Sequence, residues 1–187
     1  MKYLLWILLL IPSYSLAQEV AERKGALKAG IGLGYNEGDK ESGLGLVYTI
    51  GWQKAIDSRE RLRINPNILF GGFTPLMMTD KRDQYIRSGS FGCHLYYDML
   101  KGKHLSLFAM VGAYGNYTRG LLGDGEFNTG SEYYHKFYAG GTASLGIRVY
   151  NPSKRIGYEI RPLTFQYGSN QHFMGYVMVS IDFEIRR

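Results

Sequence analysis

The sequence predicts an all-β protein, an eight-stranded antiparallel up-and-down barrel, on three observations. Eight segments alternate apolar residues with polar residues or glycine at period two, the repeat of side chains along a β-strand. Gly 25 and Tyr 16 in 187 residues disfavour helices and suit strands and tight turns. The connections between segments alternate between compact and longer, as in a meander whose two ends differ.

Before the first strand, Met1 to Ala17 reads MKYLLWILLLIPSYSLA. Lys2 is a basic start, Tyr3 to Ile11 an apolar run, Pro12 and Ser13 a break, and Ser15 and Ala17 the small residues a signal peptidase reads. The order is that of a cleaved secretory signal peptide over 1–17, too short for a spanning helix. Residues 18–24 then form a short periplasmic segment and 25–187 the barrel domain. No Cys follows the cleavage point to carry a lipid anchor. Cys93 is the only Cys, which excludes an intramolecular disulfide. The whole-chain charge of +6, less the one from Lys2, leaves +5 on the mature chain, with basic residues scattered. Without a basic run or a nucleic-acid motif, no nucleic-acid partner is expected.

The first segment sets Leu27, Ala29, Ile31, Leu33 and Tyr35 against Lys28, Gly30, Gly32, Gly34 and Asn36. The second sets Leu44, Leu46, Tyr48, Ile50 and Trp52 against Gly45, Val47, Thr49, Gly51 and Gln53. In the third, Leu62 to Phe70 oppose Arg63 to Gly71, with Pro66 on the apolar side. The fourth opposes Phe91, Cys93, Leu95 and Tyr97 to Ser90, Gly92, His94, Tyr96 and Asp98. The fifth opposes Leu105, Leu107, Ala109, Val111 and Ala113 to Ser106, Phe108, Met110, Gly112, Tyr114 and Asn116. The sixth runs from Phe137 to Val149. The seventh sets Ile156, Tyr158 and Ile160 against Gly157, Glu159 and Arg161; Pro162, like Pro66, is a blemish, because proline cannot donate to a ladder and usually marks an edge, a bulge or a strand end. The eighth alternates Val177, Val179, Ile181, Phe183 and Ile185 with Met178, Ser180, Asp182, Glu184 and Arg186, and should close the barrel against Leu27 to Tyr35. Compact connections follow strands two, four and six, at 55–61, 100–103 and 151–154. Longer ones follow three and five, at 74–84 and 118–136, on the same side as the short links 37–42 and 169–171.

Two media could lie outside such a barrel. A soluble ligand-binding barrel points its apolar face inward, and an outer-membrane barrel points it at lipid. The export signal, the even strand number and the unlike ends favour lipid. So does the makeup of the other face, where glycine makes room beside charges of both signs that can pair in a narrow lumen. Arg63, Arg148, Glu159, Arg161, Asp182 and Glu184 are the expected lumen charge network. Tyr35, Tyr48, Trp52, Tyr97 and Tyr117, on the apolar face, are the expected aromatic girdle at the interfaces. A soluble periplasmic lipocalin-like barrel binding an apolar ligand is the alternative.

On this pattern the chain, from about Gly25 to Arg187, resembles the small eight-stranded outer-membrane barrels similar to OmpX and the OmpA transmembrane domain, the porin-like group of Gram-negative bacteria. The resemblance rests on pattern and carries no diagnostic motif. It implies insertion by the outer-membrane assembly machinery, termini in the periplasm and long loops outside the cell, among outer-membrane lipid and lipopolysaccharide. One departure stands out: such barrels commonly end on an aromatic residue, whereas Phe183 is followed by Glu184, Ile185, Arg186 and Arg187.

Some eight-stranded outer-membrane barrels modify lipid A acyl chains, which makes the histidines candidate catalysts. His104 and Ser106 form an H-x-S pair, but at the turn end and without an acid to orient the imidazole. His94 and Asp98 share a face four residues apart, about 13 Å in a strand, too far for a dyad. His135 and His172 flank loops at the other end without metal-ligand spacing. No cofactor and no catalysis are expected, with lipid A modification the third reading. Asp124, Glu126 and the glycines from Gly120 to Gly130 match no calcium-loop spacing. Leu121, Phe127, Tyr133 and Tyr134 give that region apolar content, which reads first as the strands extending above the membrane surface and second as a contact for a partner or lipopolysaccharide; a surface partner would bind through loops 74–84 and 118–136. Eight strands enclose a space that side chains fill, so no wide aqueous channel is expected.

Overall fold

Alternation carries through nearly every described segment, and the backbone follows it into one closed sheet. The computed structural model describes residues 25–39, 41–75, 84–122, 132–151 and 154–185. Its strands are β1 (Gly25–Glu37), β2 (Ser42–Ala55), β3 (Leu62–Pro75), β4 (Tyr85–Lys101), β5 (Leu105–Leu122), β6 (Glu132–Tyr150), β7 (Ile156–Gly168) and β8 (Phe173–Ile185), with a short 3₁₀ turn at Ser169–Gln171. Each strand pairs antiparallel with the next. β8 returns to β1 from Gly25↔Ile185 to Glu37↔Phe173. Closure matters because an open edge would leave a row of N–H and C=O groups without partners, which neither lipid nor a packed core tolerates. The barrel has one end of compact connections, at 56–61, 102–104 and 151–155, here the turn end. The opposite end is the loop end.

The strands run longer than the periodicity suggests, and the loops are correspondingly shorter. β5 continues to Leu122 and β6 begins at Glu132, with Thr118 paired to Lys136 and Leu121 to Tyr133. Much of the expected loop 118–136 is therefore hairpin. Glycine and charge at Arg119 and Gly120 read locally as loop, and cross-strand pairing overrides that preference. In the same way β3 reaches Pro75 and β4 starts at Tyr85, which narrows the expected loop 74–84. The signal peptide, the segment 18–24, Asp124, Glu126, Phe127 and Arg186 lie outside the described residues.

Of the roles open to Pro162, the structure takes the bulge: β7 passes through it and continues to Gly168. The pairing shifts by one residue between Arg161 and Thr164, so Ile160 and Leu163 both face outward while Arg161 and Thr164 both face inward. A bulge is where a strand tolerates a residue that cannot donate. Period two breaks at that point, which hides the second half of the strand from a reading of alternation alone.

The outward face is apolar. Leu33, Phe91, Leu145 and Val179 are each more than half exposed, as is Phe137. The inward face carries the polar groups and much glycine. Gly146 leaves the space that the Phe108 ring fills, and a Cβ on Gly168 would lie 2.6 Å from the Tyr114 hydroxyl. Between the ends the lumen also holds an apolar layer, in which Val47, Leu69, Phe73, Ile86, Met174, Tyr176 and Met178 pack together. Val47, Leu69 and Met178 sit on the face expected to be polar, and here they fill the interior of the barrel.

Candidate functional site

Ion pairs gather toward the turn end of the lumen because strands from both sides of the barrel seam bring charges of opposite sign to one level. Lys28 stands opposite Asp182 across the β1–β8 ladder, and Arg148 opposite Glu159 across β6–β7. The Lys28 ammonium contacts Glu159 and lies 3.3 Å from Asp182. Arg148 reaches Asp182 at 3.0 Å, and Arg161 reaches Glu159 at 3.3 Å. Arg63 donates to Asp98, and its guanidinium stacks over Tyr96 at 5.3 Å and Phe108 at 5.8 Å. Lys28 also lies over the Tyr96 ring, at 4.7 Å.

Of the six charges expected in the lumen, Arg63, Glu159, Arg161 and Asp182 are buried there and Arg148 nearly so. Glu184 is half-buried at the edge, lining with Arg63, Arg148 and Gln53 a crevice of about 50 Å³ at the turn end. Sequence reasoning left Lys28 and Asp98 out of this group. Lys28 was visible on the same face as the network, but only the β1–β8 seam brings it between Glu159 and Asp182. Asp98, weighed as a partner for His94, pairs instead with Arg63.

A second polar group sits at the loop end. His172, buried in the link before β8, has the Tyr114 hydroxyl 2.8 Å from Nδ1. Its Nε2 lies 3.2 Å from Asn36 Oδ1 and 3.1 Å from Asn116 Nδ2. With Nε2 protonated, the ring donates to Asn36 while Tyr114 donates to Nδ1. Tyr138 stacks on the imidazole with centroids 4.4 Å apart and donates to Glu41 at 2.7 Å. Burial pushes the His172 pKa down to about 4, because the charged ring would lose its water without gaining an anion.

The other histidines separate. His94 is buried with Asn67 at 3.0 Å from Nδ1, while His135 is exposed between the Tyr117 and Tyr133 rings. His104 is exposed in its turn and Ser106 is buried, so the H-x-S pair does not converge. Among the described residues no group of three His, Cys, Asp or Glu side chains could hold a metal. Cys93 faces outward.

The five girdle residues lie on the outward face at different heights. Trp52 and Tyr97 sit toward the turn end. Tyr35 sits at the loop end, where its hydroxyl donates to Glu37 at 3.1 Å, and Tyr117 lies on the loop half of β5. Tyr48 is at the middle of β2, between Ile31 and Phe70. Period two places a residue on a face, and only the closed barrel sets its height.

No family model and no curated protein matches the chain. Solved structures do. Neisserial surface protein A (NspA) superposes with a TM-score of 0.65 at 12% identity, over 86% of this chain and 97% of that one. Ail, the attachment invasion locus protein of Yersinia pestis, superposes at 0.58 and 10% identity, over 88% of this chain and 99% of that one, in a structure with the heparin analogue sucrose octasulfate. At such identities the likeness is one of fold: this chain has the closed eight-stranded barrel of small outer-membrane proteins.

Proposed function

We propose that the protein is an integral outer-membrane barrel with a lumen plugged by its own side chains, serving a structural or surface-interaction role without catalysis. The observation that carries this is the inversion of its faces. Lys28, Arg63, Asp98, Glu159, Arg161 and Asp182 are buried inside, while Leu33, Phe91, Val111, Phe137 and Val179 are exposed outside. A barrel in water would gain from the reverse arrangement. Each large aliphatic side chain kept from water contributes about 1.5–3 kcal/mol, so a whole outward face of them calls for lipid. In this reading the loop end faces the exterior, the turn end faces the periplasm, and the assembly machinery inserts the chain.

Plugging is supported by what fills the bore: the ion pairs at the turn end, Phe108, Met110 and Tyr96 above them, the Val47 to Met178 layer and the His172 group. A role at the surface is supported by Tyr133, exposed near the loop end of β6, and by the sulfated sugar analogue held by the similar Ail barrel. The test is heat-modifiable migration on SDS gels together with a requirement for detergent. A folded, monomeric protein that stayed soluble without detergent would overturn the membrane reading. Rapid flux of small sugars in a liposome-swelling assay would overturn the plugged lumen.

A further inference from the structure

The outward face has a notch on β3 and β4. Most outward positions there carry large apolar side chains, but Gly72 and Gly89 carry none. A Cβ at Gly72 would meet nothing within 4 Å, and one at Gly89 would meet only Phe70, at 4.0 Å. The gap is an open groove of about 540 Å³, walled by Tyr48, Phe70 and Tyr117.

Two arginines close this groove on its loop side. Gly72 pairs with Arg87, and Arg87 with Arg119, across adjacent strands. Both arginines are exposed on the outward face. Like charges directly opposite in a sheet have Cβ atoms about 5 Å apart and destabilise it. Among the described residues no carboxylate forms an ion pair with either one; Arg87 lies over the Tyr85 ring at 5.2 Å. An arginine pair held this way selects an anion that spans both guanidinium groups, and phosphate does so with paired, charge-assisted hydrogen bonds.

Their height matters as much. Ten residues separate Tyr97, toward the turn end of β4, from Arg87. At about 3.3 Å per residue and a tilt of about 40°, that is roughly 25 Å along the barrel axis, the height of the lipid-facing band of such barrels. Arg87 and Arg119 therefore stand where headgroups begin, and the groove runs below them into the acyl region.

We propose, resting on the membrane reading above, that Arg87, Arg119 and the groove over Gly72 and Gly89 form a site for a phosphorylated glycolipid of the outer leaflet, of the lipid A class. Its phosphate sits between the two guanidinium groups and one acyl chain lies along Phe70 and Tyr117. A free phosphate would satisfy the arginines and leave the apolar groove unfilled, which favours a lipid as occupant.

The test is native mass spectrometry of the refolded full chain in a neutral detergent, titrated with bisphosphorylated lipid A, dephosphorylated lipid A or inorganic phosphate. Wild-type protein should retain one bisphosphorylated lipid A. Each of Arg87→Gln and Arg119→Gln should weaken retention on the order of tenfold, as expected for the loss of a charge-assisted contact. Gly89→Leu fills the groove and should weaken lipid A binding with both arginines in place. Heat-modifiable migration, measured on every variant, reports folding separately. Folded variants that bind lipid A as wild type does, or wild type that binds the dephosphorylated lipid equally, would overturn the site and leave the membrane reading standing. Inorganic phosphate competing fully with lipid A would likewise reduce the site to an anion site and overturn the lipid. A wild-type chain that folds without detergent would overturn both.

Discussion

Four arginines of this barrel divide into two pairs with opposite surroundings. Arg63 and Arg161 point inward, are buried, and meet Asp98 and Glu159. Arg87 and Arg119 point outward, are exposed, and face each other. The side chain is the same, so the difference lies in what each medium can supply. Buried in the barrel interior, a charge must find its counter-charge on the chain itself. On the outer face at the headgroup level the surroundings can provide it, and the chain need encode only the cations.

The largest expected effect attacks the inner half of that contrast. Arg63→Met leaves the buried Asp98 carboxylate without its ion-pair partner and should destabilise the protein by about 3–5 kcal/mol, as breaking one side of a buried ion pair does. Urea unfolding of the protein in lipid vesicles measures it, and adding Asp98→Asn should restore part of the loss. A loss below about 1 kcal/mol would mean that water reaches the network.

Next comes the outer face away from the rim. Val179 lies at the middle of β8, so Val179→Arg should cost about 2–4 kcal/mol in a bilayer, the penalty for a cation near the midplane of such a barrel. Arg119 already occupies an outward position at the rim, and the same unfolding experiment should show that cations are tolerated there and not at 179. Equal tolerance at both heights would remove the argument from depth.

His172 gives a smaller effect that depends on pH. Its pKa is held near 4 in the folded protein, while an unfolded histidine titrates near 6.5. Between those values the unfolded chain binds more protons, so stability rises with pH and is lost as pH falls from about 6.5 to about 4. With screening by water at the loop end, the loss should be on the order of 1–2 kcal/mol. His172→Gln should flatten the stability profile across that window.

The smallest effect concerns the rim pair alone. In a neutral detergent, Arg119→Gln removes a like-charge opposition and should raise stability by about 0.2–1 kcal/mol. In bilayers containing bisphosphorylated lipid A the sign should reverse, because the lipid bridges the wild-type pair.

Strand existence was legible throughout, since each of the eight alternating segments is a strand, and so was the assignment of faces. Height and partnership were not. Tyr48 alternates as the girdle residues do, yet sits at mid-strand. Lys28 lies on the inward face, but nothing in its neighbours along the chain indicates Glu159, 131 residues away. Pro162 was legible as a blemish in β7, but which kind was not, because a bulge shifts the alternation by one residue only once the register with β8 is set. Arg119 lies within the expected loop 118–136 and Arg87 just past the expected loop 74–84, and only the β4–β5 register sets them opposite each other.

Period two, glycine content and the spacing of turns therefore determined the fold class and which side chains face in or out, because alternation is a local property of an extended backbone. The closed barrel decided the rest. Its tilt sets the depth of each residue, and its register across strands distant in sequence sets which charge meets which. Those quantities arise only when eight strands are joined into one ladder.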